Sequence, residues 1–316
     1  MKKIFVFILL FSGLIACGDD QNSSTENTQN QTDLNDETSE NEGSSNIDQT
    51  ESAKITIMQP GPEISEELKK SFVKRVSIFG LNLIATKQVS EGKLLHAANI
   101  LAQYLDNNED SEVDDPAILE NMIRENATLV MFKSQEEAEQ VFENLDFEKV
   151  GKVEVQDLYD DETFPDGASN LKFDASLEEV LHLVTFTGYF KSYPNELGPQ
   201  NSLLTDAMDK ARGGKFETVP LSYPETAWYT YDDESCNYNC MVVEYFYWAL
   251  TSILGAQNFD GRIDYIRNEW KLNTLDKVKN GDPDVYKLLN DPKYKLPKVL
   301  PTGKHQGLKN LTVEKL

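Results

Sequence analysis

Apolar residues recur along this chain with spacings that change between helical and strand-like periods. In residues 93–104 they return every three or four positions, up to Leu101 and Tyr104, and this spacing predicts a helix. The same criterion predicts helices over residues 116–125, 134–145, 174–186 and 241–254. Alternating runs predict strands over residues 54–58, 127–132 and 152–158, while residues 76–85 fit either a strand or a buried turn. Together these elements predict an α+β fold, with a small mixed or antiparallel sheet followed by a helix-rich C-terminal half.

The N-terminus has the features of an export signal. Lys2 and Lys3 precede an apolar run over residues 4–11 that is too short to span a bilayer, and Leu14-Ile15-Ala16-Cys17 follows. This order resembles the bacterial lipobox, which implies a signal peptide over residues 1–16 and a lipid such as palmitate on Cys17. An ordinary signal peptide and an uncleaved anchor are the alternatives. The lipid would hold the protein on the bacterial cell envelope, and Gly18-Asp19-Asp20 resembles the signals that direct some lipoproteins to the outer membrane or the cell surface.

Charge and composition divide the remaining chain. Residues 17–53 are polar and acidic and contain no Lys or Arg, so we predict a disordered tether there. Residues 54–316 are long enough for a single globular domain. The formal net charge of -24 disfavours nucleic acid as a partner and favours divalent cations or cationic partners. Because no later run is long and apolar enough for a membrane helix, the lipid is the predicted anchor.

An acidic loop lies between the first two predicted helices. It places oxygen-bearing residues at positions 1, 3, 5, 7 and 9, namely Asp106, Asn108, Asp110, Glu112 and Asp114. This spacing resembles the EF-hand calcium loop, and the resemblance implies a calcium ion held by hard oxygen ligands. Ser111 replaces the usual glycine and Ala117 the usual bidentate glutamate, so we expect modest affinity. The alternative is a solvated acidic turn between two helices, the second of them capped by Asp115.

The predicted helix over residues 174–186 carries a polar stripe on an otherwise apolar surface. Glu178 and His182 are four residues apart, so they share one face of the helix. Glu178-Glu179-Val180-Leu181-His182 resembles the zincin metallopeptidase helix, whose pattern is H-E-x-x-H. The resemblance implies that Glu178, in place of the first histidine, and His182 bind zinc, and that Glu179 is the general base. The alternative is a core helix with a hydrogen-bonded histidine, whose glutamates interact with the helix dipole.

The aromatic-rich helix predicted over residues 241–254 contains one carboxylate, Glu244. A buried carboxylate needs a partner. In zincins a downstream helix supplies the third ligand from a Glu-aromatic-Ala context, so the resemblance makes Glu244 the third metal ligand, with Tyr245 or Tyr247 near the substrate. The alternative is a Glu244 bonded to a Tyr or Arg within an aromatic core. Cys236 and Cys240 are predicted to form a disulfide before this helix, since an exported chain meets an oxidising compartment, and a thiolate metal site is the alternative.

Two functions remain open from the sequence. In the first, the protein is a membrane-anchored, calcium-stabilised lipoprotein that binds a peptide or protein ligand, or has a structural role, without catalysis. In the second it is a metal-dependent hydrolase, a zincin-like peptidase or a degenerate relative, that uses Glu179 as its base. The sequence contains no phosphate-binding loop, dinucleotide fingerprint or Gly-x-Ser-x-Gly elbow. His96 is predicted to be a hydrogen-bonded core histidine, and no role is predicted for His305.

Overall fold

A mixed sheet is built mainly from the N-terminal half of the chain, with one short strand from the C-terminus. The computed structural model describes residues 64–166, 172–308 and 313–316, and in these ranges the sheet has five strands in the order β4-β3-β2-β1-β5. Their bounds are β1 Phe72–Ile78, β2 Leu81–Thr86, β3 Ala127–Phe132, β4 Glu154–Tyr159 and β5 Glu314–Lys315. Strands β2, β3 and β4 are parallel, whereas β1 pairs antiparallel with both β2 and β5. The predicted mixed sheet is therefore confirmed.

Helices connect the parallel strands and make up most of the C-terminal half. The described residues contain helices α1 Glu91–Leu105, α2 Pro116–Arg124, α3 Gln135–Glu143, α4 Phe147–Val150, α5 Ser176–Val184, α6 Phe190–Ser192, α7 Leu203–Arg212, α8 Tyr238–Leu254, α9 Arg262–Ile266, α10 Leu275–Gly281 and α11 Pro283–Leu289. The predicted α+β class with a helical C-terminal half is thus confirmed. No helix within residues 64–166, 172–308 or 313–316 has the length and apolarity needed to cross a membrane.

Residues 76–85 form neither a single strand nor a buried turn. They span the tight hairpin between β1 and β2, which reverses at Phe79 and Gly80, where φ is 50° and 86°. Both flanking segments are apolar because both faces of the sheet are buried, and this apolar continuity conceals the turn in the sequence. The predicted strand over residues 54–58 lies outside the described residues.

Side chains alternate between the two faces of the sheet, and each face has its own apolar cluster. Leu83 and Leu129 point towards the large cluster that includes α1, α5 and α8, whereas Ile84 and Val130 point towards the smaller cluster beside α3. This alternation places α5 between the sheet and α8. The sheet therefore packs against one side of α5, the helix that carries the candidate site.

Candidate metal centre

The start of α5 is fixed by a polar contact with α1. Asp174 Oδ1 accepts hydrogen bonds from the Ser176 backbone N–H at 3.3 Å and from Ser176 Oγ at 2.8 Å, while Oδ2 lies 2.7 Å from His96 Nε2. His96 is therefore the hydrogen-bonded core histidine that the sequence predicts. The pairing joins α1 to the first turn of α5, and Glu178, Glu179 and His182 follow within the next two turns.

Every residue of α5 is buried, including its two glutamates and its histidine. Helix α8 packs against α5 and brings Glu244 to the same point, so that His182 Nε2 lies 3.7 Å from Glu244 Oε2. One ligand atom from each of Glu178, His182 and Glu244 lies within 4.8 Å of the others. The predicted convergence of these three residues is confirmed, and the group could hold a metal ion.

The side chains of this group suit a metal ion in spacing and in chemistry. Two ligands that each lie about 2.1 Å from one ion are about 3.5 Å apart. Small side-chain adjustments would therefore bring the three atoms around one ion. Glu244 Oε1 and Thr185 Oγ1 are buried and have no hydrogen-bond partner within the described part of the chain. A buried carboxylate oxygen without a donor is costly, and a cation would remove that cost.

Burial and neighbouring charge act together on Glu244. Burial raises the pKa of its carboxyl group to about 8, with His182 opposing the rise and the carboxylates of Glu178, Glu179 and Glu269 adding to it. Carboxylates this close together in a low-dielectric interior repel each other strongly. A divalent cation would offset this repulsion and return Glu244 to its charged form.

Glu179 stands on the other side of the His182 ring from Glu244. Its Oε2 accepts a 2.8 Å hydrogen bond from Gln156 Nε2 of β4 and lies 3.4 Å from His182 Nδ1. A carboxylate beside the outer nitrogen of a metal-binding histidine fixes the orientation of that ring. Gln156 was not identified from the sequence, because nothing in a strand pattern indicates which later residue its amide will contact.

One of the two candidate tyrosines faces the site. The Tyr247 ring meets the His182 ring edge-on, with 5.5 Å between centroids. Tyr245 instead donates a 2.6 Å hydrogen bond to Asp282 on the opposite side of α8. Tyr245 is therefore no longer a candidate for contact with a substrate. Burial, followed by the charge of Glu178, raises the pKa of Tyr247 far above its usual range, so its hydroxyl is protonated at physiological pH.

The predicted disulfide is present at the start of α8. Cys236 and Cys240 are bonded, with 5.3 Å between their Cα atoms, and Asn237 caps the helix between them through a 3.1 Å bond from the Cys240 backbone N–H. The thiolate alternative is therefore excluded for these two cysteines. Cys17, the proposed signal peptide and the tether lie outside the described residues.

The acidic loop is a network of turns around Asp106. Asp106 accepts bonds from the backbone N–H groups of Asp110 at 3.1 Å and Ser111 at 2.7 Å, while Asn108 Oδ1 and Asp110 Oδ1 accept from Asp110 N–H and Glu112 N–H. Asp114 Oδ2 accepts from the Asn107 backbone N–H at 2.8 Å. Burial, and then the charges of Asp106 and Asp110, raise the pKa of Asp114. The loop thus folds inward, and calcium binding there stays a prediction.

Asp115 and His305 extend the hydrogen-bond network of this loop on its two sides. Asp115 caps α2 by accepting from the Ala117 backbone N–H at 3.1 Å, as the alternative interpretation requires. His305 contacts the loop directly, since its Nε2 lies 3.0 Å from Asp106 Oδ2 and both side chains are buried. No sequence signal pointed to this pairing, because the two residues are far apart in the chain.

Comparisons with protein-family models, with curated proteins and with solved structures find no match for this chain. The resemblance to zincins therefore rests on the residues of α5 and α8 alone.

Proposed function

We propose that the protein is a metal-dependent hydrolase whose metal is held by Glu178, His182 and Glu244. The observation that supports this most directly is the convergence of the three ligand atoms within 4.8 Å inside the core. Three protein ligands are typical of catalytic zinc sites, in which the fourth position is left for water or substrate. Zinc is the first ion to test. Other divalent first-row metals are tested next, because two carboxylates and one imidazole suit them as well.

The surrounding residues supply the remaining parts of a hydrolytic site. A bound divalent metal polarises a substrate carbonyl and lowers the pKa of water. Glu179 follows the ligand Glu178 in sequence, and we propose that its carboxylate turns from the Nδ1 side of His182 towards the metal to accept the proton of the attacking water. The Tyr247 hydroxyl is held in its protonated form and is a candidate hydrogen-bond donor to the substrate.

A second candidate function is favoured by the depth of the site. Glu178, His182 and Glu244 are 6%, 1% and 1% exposed, which suits a structural metal ion as well as a catalytic one. In this case the protein would be a non-catalytic exported lipoprotein that binds a peptide or protein, stabilised by the buried ion and by calcium in the acidic loop. Anchoring to the bacterial cell envelope through Cys17 belongs to both proposals.

The first test is elemental analysis of the purified full chain, with the variants His182→Ala and Asp110→Ala. We expect close to one transition-metal ion per chain, lost in His182→Ala and retained in Asp110→Ala, because only His182 belongs to the trio. If the wild-type chain takes up no transition metal when zinc is offered, the metal-centre proposal is wrong. Calcium that disappears only in Asp110→Ala would support the second candidate.

In the metal-loaded protein, the variant Glu179→Gln then distinguishes the hydrolase from the non-catalytic candidate. If Glu179 is the base, hydrolysis of peptide or ester substrates should fall by roughly a hundredfold or more while the metal content stays unchanged. The isosteric amide keeps the packing, and thermal melting checks that the variant is folded. A variant that hydrolyses substrates as fast as the wild type would remove Glu179 from the mechanism.

A further inference from the structure

Arg262, at the start of α9, is a buried cation enclosed by aromatic rings. It is 5% exposed, and its guanidinium lies 4.3 Å from the ring centroid of Phe173, 5.7 Å from that of Trp248 and 5.9 Å from that of Phe259. Its Nε donates a 2.7 Å hydrogen bond to Gln257 Oε1. The rings and the amide hold the guanidinium in a defined orientation.

The environment of Arg262, in the part of the chain that the structure describes, contains no acidic partner. Within the described residues, no carboxylate lies at ion-pair distance from Arg262, and no hydrogen bond is found from Nη1 or Nη2. Arg212, which is fully buried, behaves differently, because it forms a 2.8 Å ion pair with Asp209 and donates to the Phe216 carbonyl at 2.9 Å. A guanidinium that is only 5% exposed and has no anion is costly, and its Nη atoms are not among the fully buried atoms, so the difference indicates a site that a ligand can complete.

This cation lies beside the candidate metal centre. Glu244 and Trp248 are four residues apart on α8, so they share a face and are separated by about 6 Å along the helix axis. Gln257 connects the two sites, since its Nε2 donates to Tyr247 Oη at 3.1 Å while its Oε1 accepts from Arg262. Tyr247 in turn contacts His182. One aromatic layer therefore supports both the metal ligands and the guanidinium.

We propose that Arg262 binds a carboxylate of the substrate, so that the enzyme acts on acyl or peptide bonds close to a free carboxylate, such as the last bonds of a peptide. A stacked guanidinium keeps its in-plane N–H groups for hydrogen bonding, and the Nη1 and Nη2 pair matches the two oxygens of a carboxylate. An extended peptide spans about 3.5 Å per residue, so the carboxylate and the reacting carbonyl would be a few residues apart at most. This proposal rests on the proposed hydrolase function for the position of the reacting bond.

The test compares two ligands that differ in one group. N-benzoylglycine carries a carboxylate, and N-benzoylglycinamide replaces it with a neutral amide. Binding of each to the full chain is measured by calorimetry, with and without zinc. We expect the carboxylate compound to bind roughly tenfold or more tightly than the amide, because a charge-assisted bond to Arg262 is lost in the amide.

Three variants identify the residue responsible. Arg262→Gln should abolish the preference for the carboxylate, and Arg262→Lys, which keeps the charge but not the planar pair of donors, should retain only part of it. Arg267→Gln is the matched control, since it removes an exposed arginine from the same segment and should leave the preference unchanged. Thermal melting of each variant reports whether it is folded.

The outcomes separate this proposal from the proposed function. Equal affinity for the two compounds, binding of neither, or a preference that survives in folded Arg262→Gln would overturn the role of Arg262, whatever the metal content. Absence of zinc binding, with the carboxylate preference present and dependent on Arg262, would overturn the hydrolase function and leave Arg262 as the centre of an anion site.

Discussion

Glu244 is the residue whose protonation should control metal binding. Burial is the main cause of its raised pKa of about 8, so in the metal-free protein this carboxyl group holds a proton at neutral pH. A metal ion must displace that proton. Because the folded-state pKa lies above the ordinary value of 4.5, the proton also stabilises the metal-free fold, and this stabilisation is lost as the pH rises towards about 8.

We therefore predict that zinc affinity rises by about tenfold per pH unit between about pH 6 and pH 8 and levels off above that range. Competition with a chelator of known affinity at each pH would measure it. In Glu244→Gln the affinity should be weaker overall, and its pH dependence in this range should be reduced. An affinity of the wild-type protein that does not change with pH would contradict the raised pKa.

At the scale of elements, the position of α8 determines whether the ligands meet. The Cys236–Cys240 disulfide and the Asn237 cap fix its first turn, and Glu244 follows one turn further along. A bridge that closes so short a loop removes little entropy from the unfolded chain. We predict that C236S/C240S lowers the free energy of unfolding by about 2 kcal/mol.

The same variant should still bind one transition-metal ion, because the cap and the packing of α8 are unchanged. Urea unfolding of the metal-free proteins measures the free energy of unfolding, and elemental analysis measures the metal content. Loss of the metal together with the disulfide would show that the bridge positions Glu244, and so contradict this division of roles.

Periodicity predicted most elements of the fold, and the resemblance of two helices to the zincin pattern indicated the three candidate ligands. Strand β3 has the predicted bounds, and helix α2 ends one residue early, because each has a regular apolar face. Glu244 could be identified because a carboxylate within an apolar helix has few favourable surroundings. Gln156 and Arg262 could not be identified, since their importance depends on partners that only the tertiary structure brings near.

At the scale of the whole molecule, the segment over residues 295–308 clasps the acidic loop. Lys295 Nζ donates to the Asp114 carbonyl at 2.7 Å, and the Asn107 side chain accepts from the backbone N–H of Val299 at 2.8 Å. His305 adds the buried contact with Asp106. Its Nδ1 accepts from the Gly307 and Leu308 backbone N–H groups, each at 3.1 Å, so Nε2 carries the proton that is donated to Asp106.

We predict that His305→Ala lowers the free energy of unfolding by about 3 kcal/mol, because it leaves the buried Asp106 carboxylate without this donor. Lys304→Ala is the control, since its side chain is exposed and its removal should change stability little. Urea unfolding of both variants would measure the difference. Similar stability of the two would mean that the clasp does not hold the loop.

The contact of residues 295–308 with the acidic loop also implies an order in which parts of the chain fold. His305 and Asp106 are 199 residues apart, and contacts of such long range form late because a large loop must close first. Helices α5 and α8 both precede the clasping segment in the chain. During synthesis they can therefore pack together, with Glu178, His182 and Glu244 already adjacent, while the carboxylates of the acidic loop still face solvent. Docking of residues 295–308 onto the acidic loop would then be the slow, final step of folding.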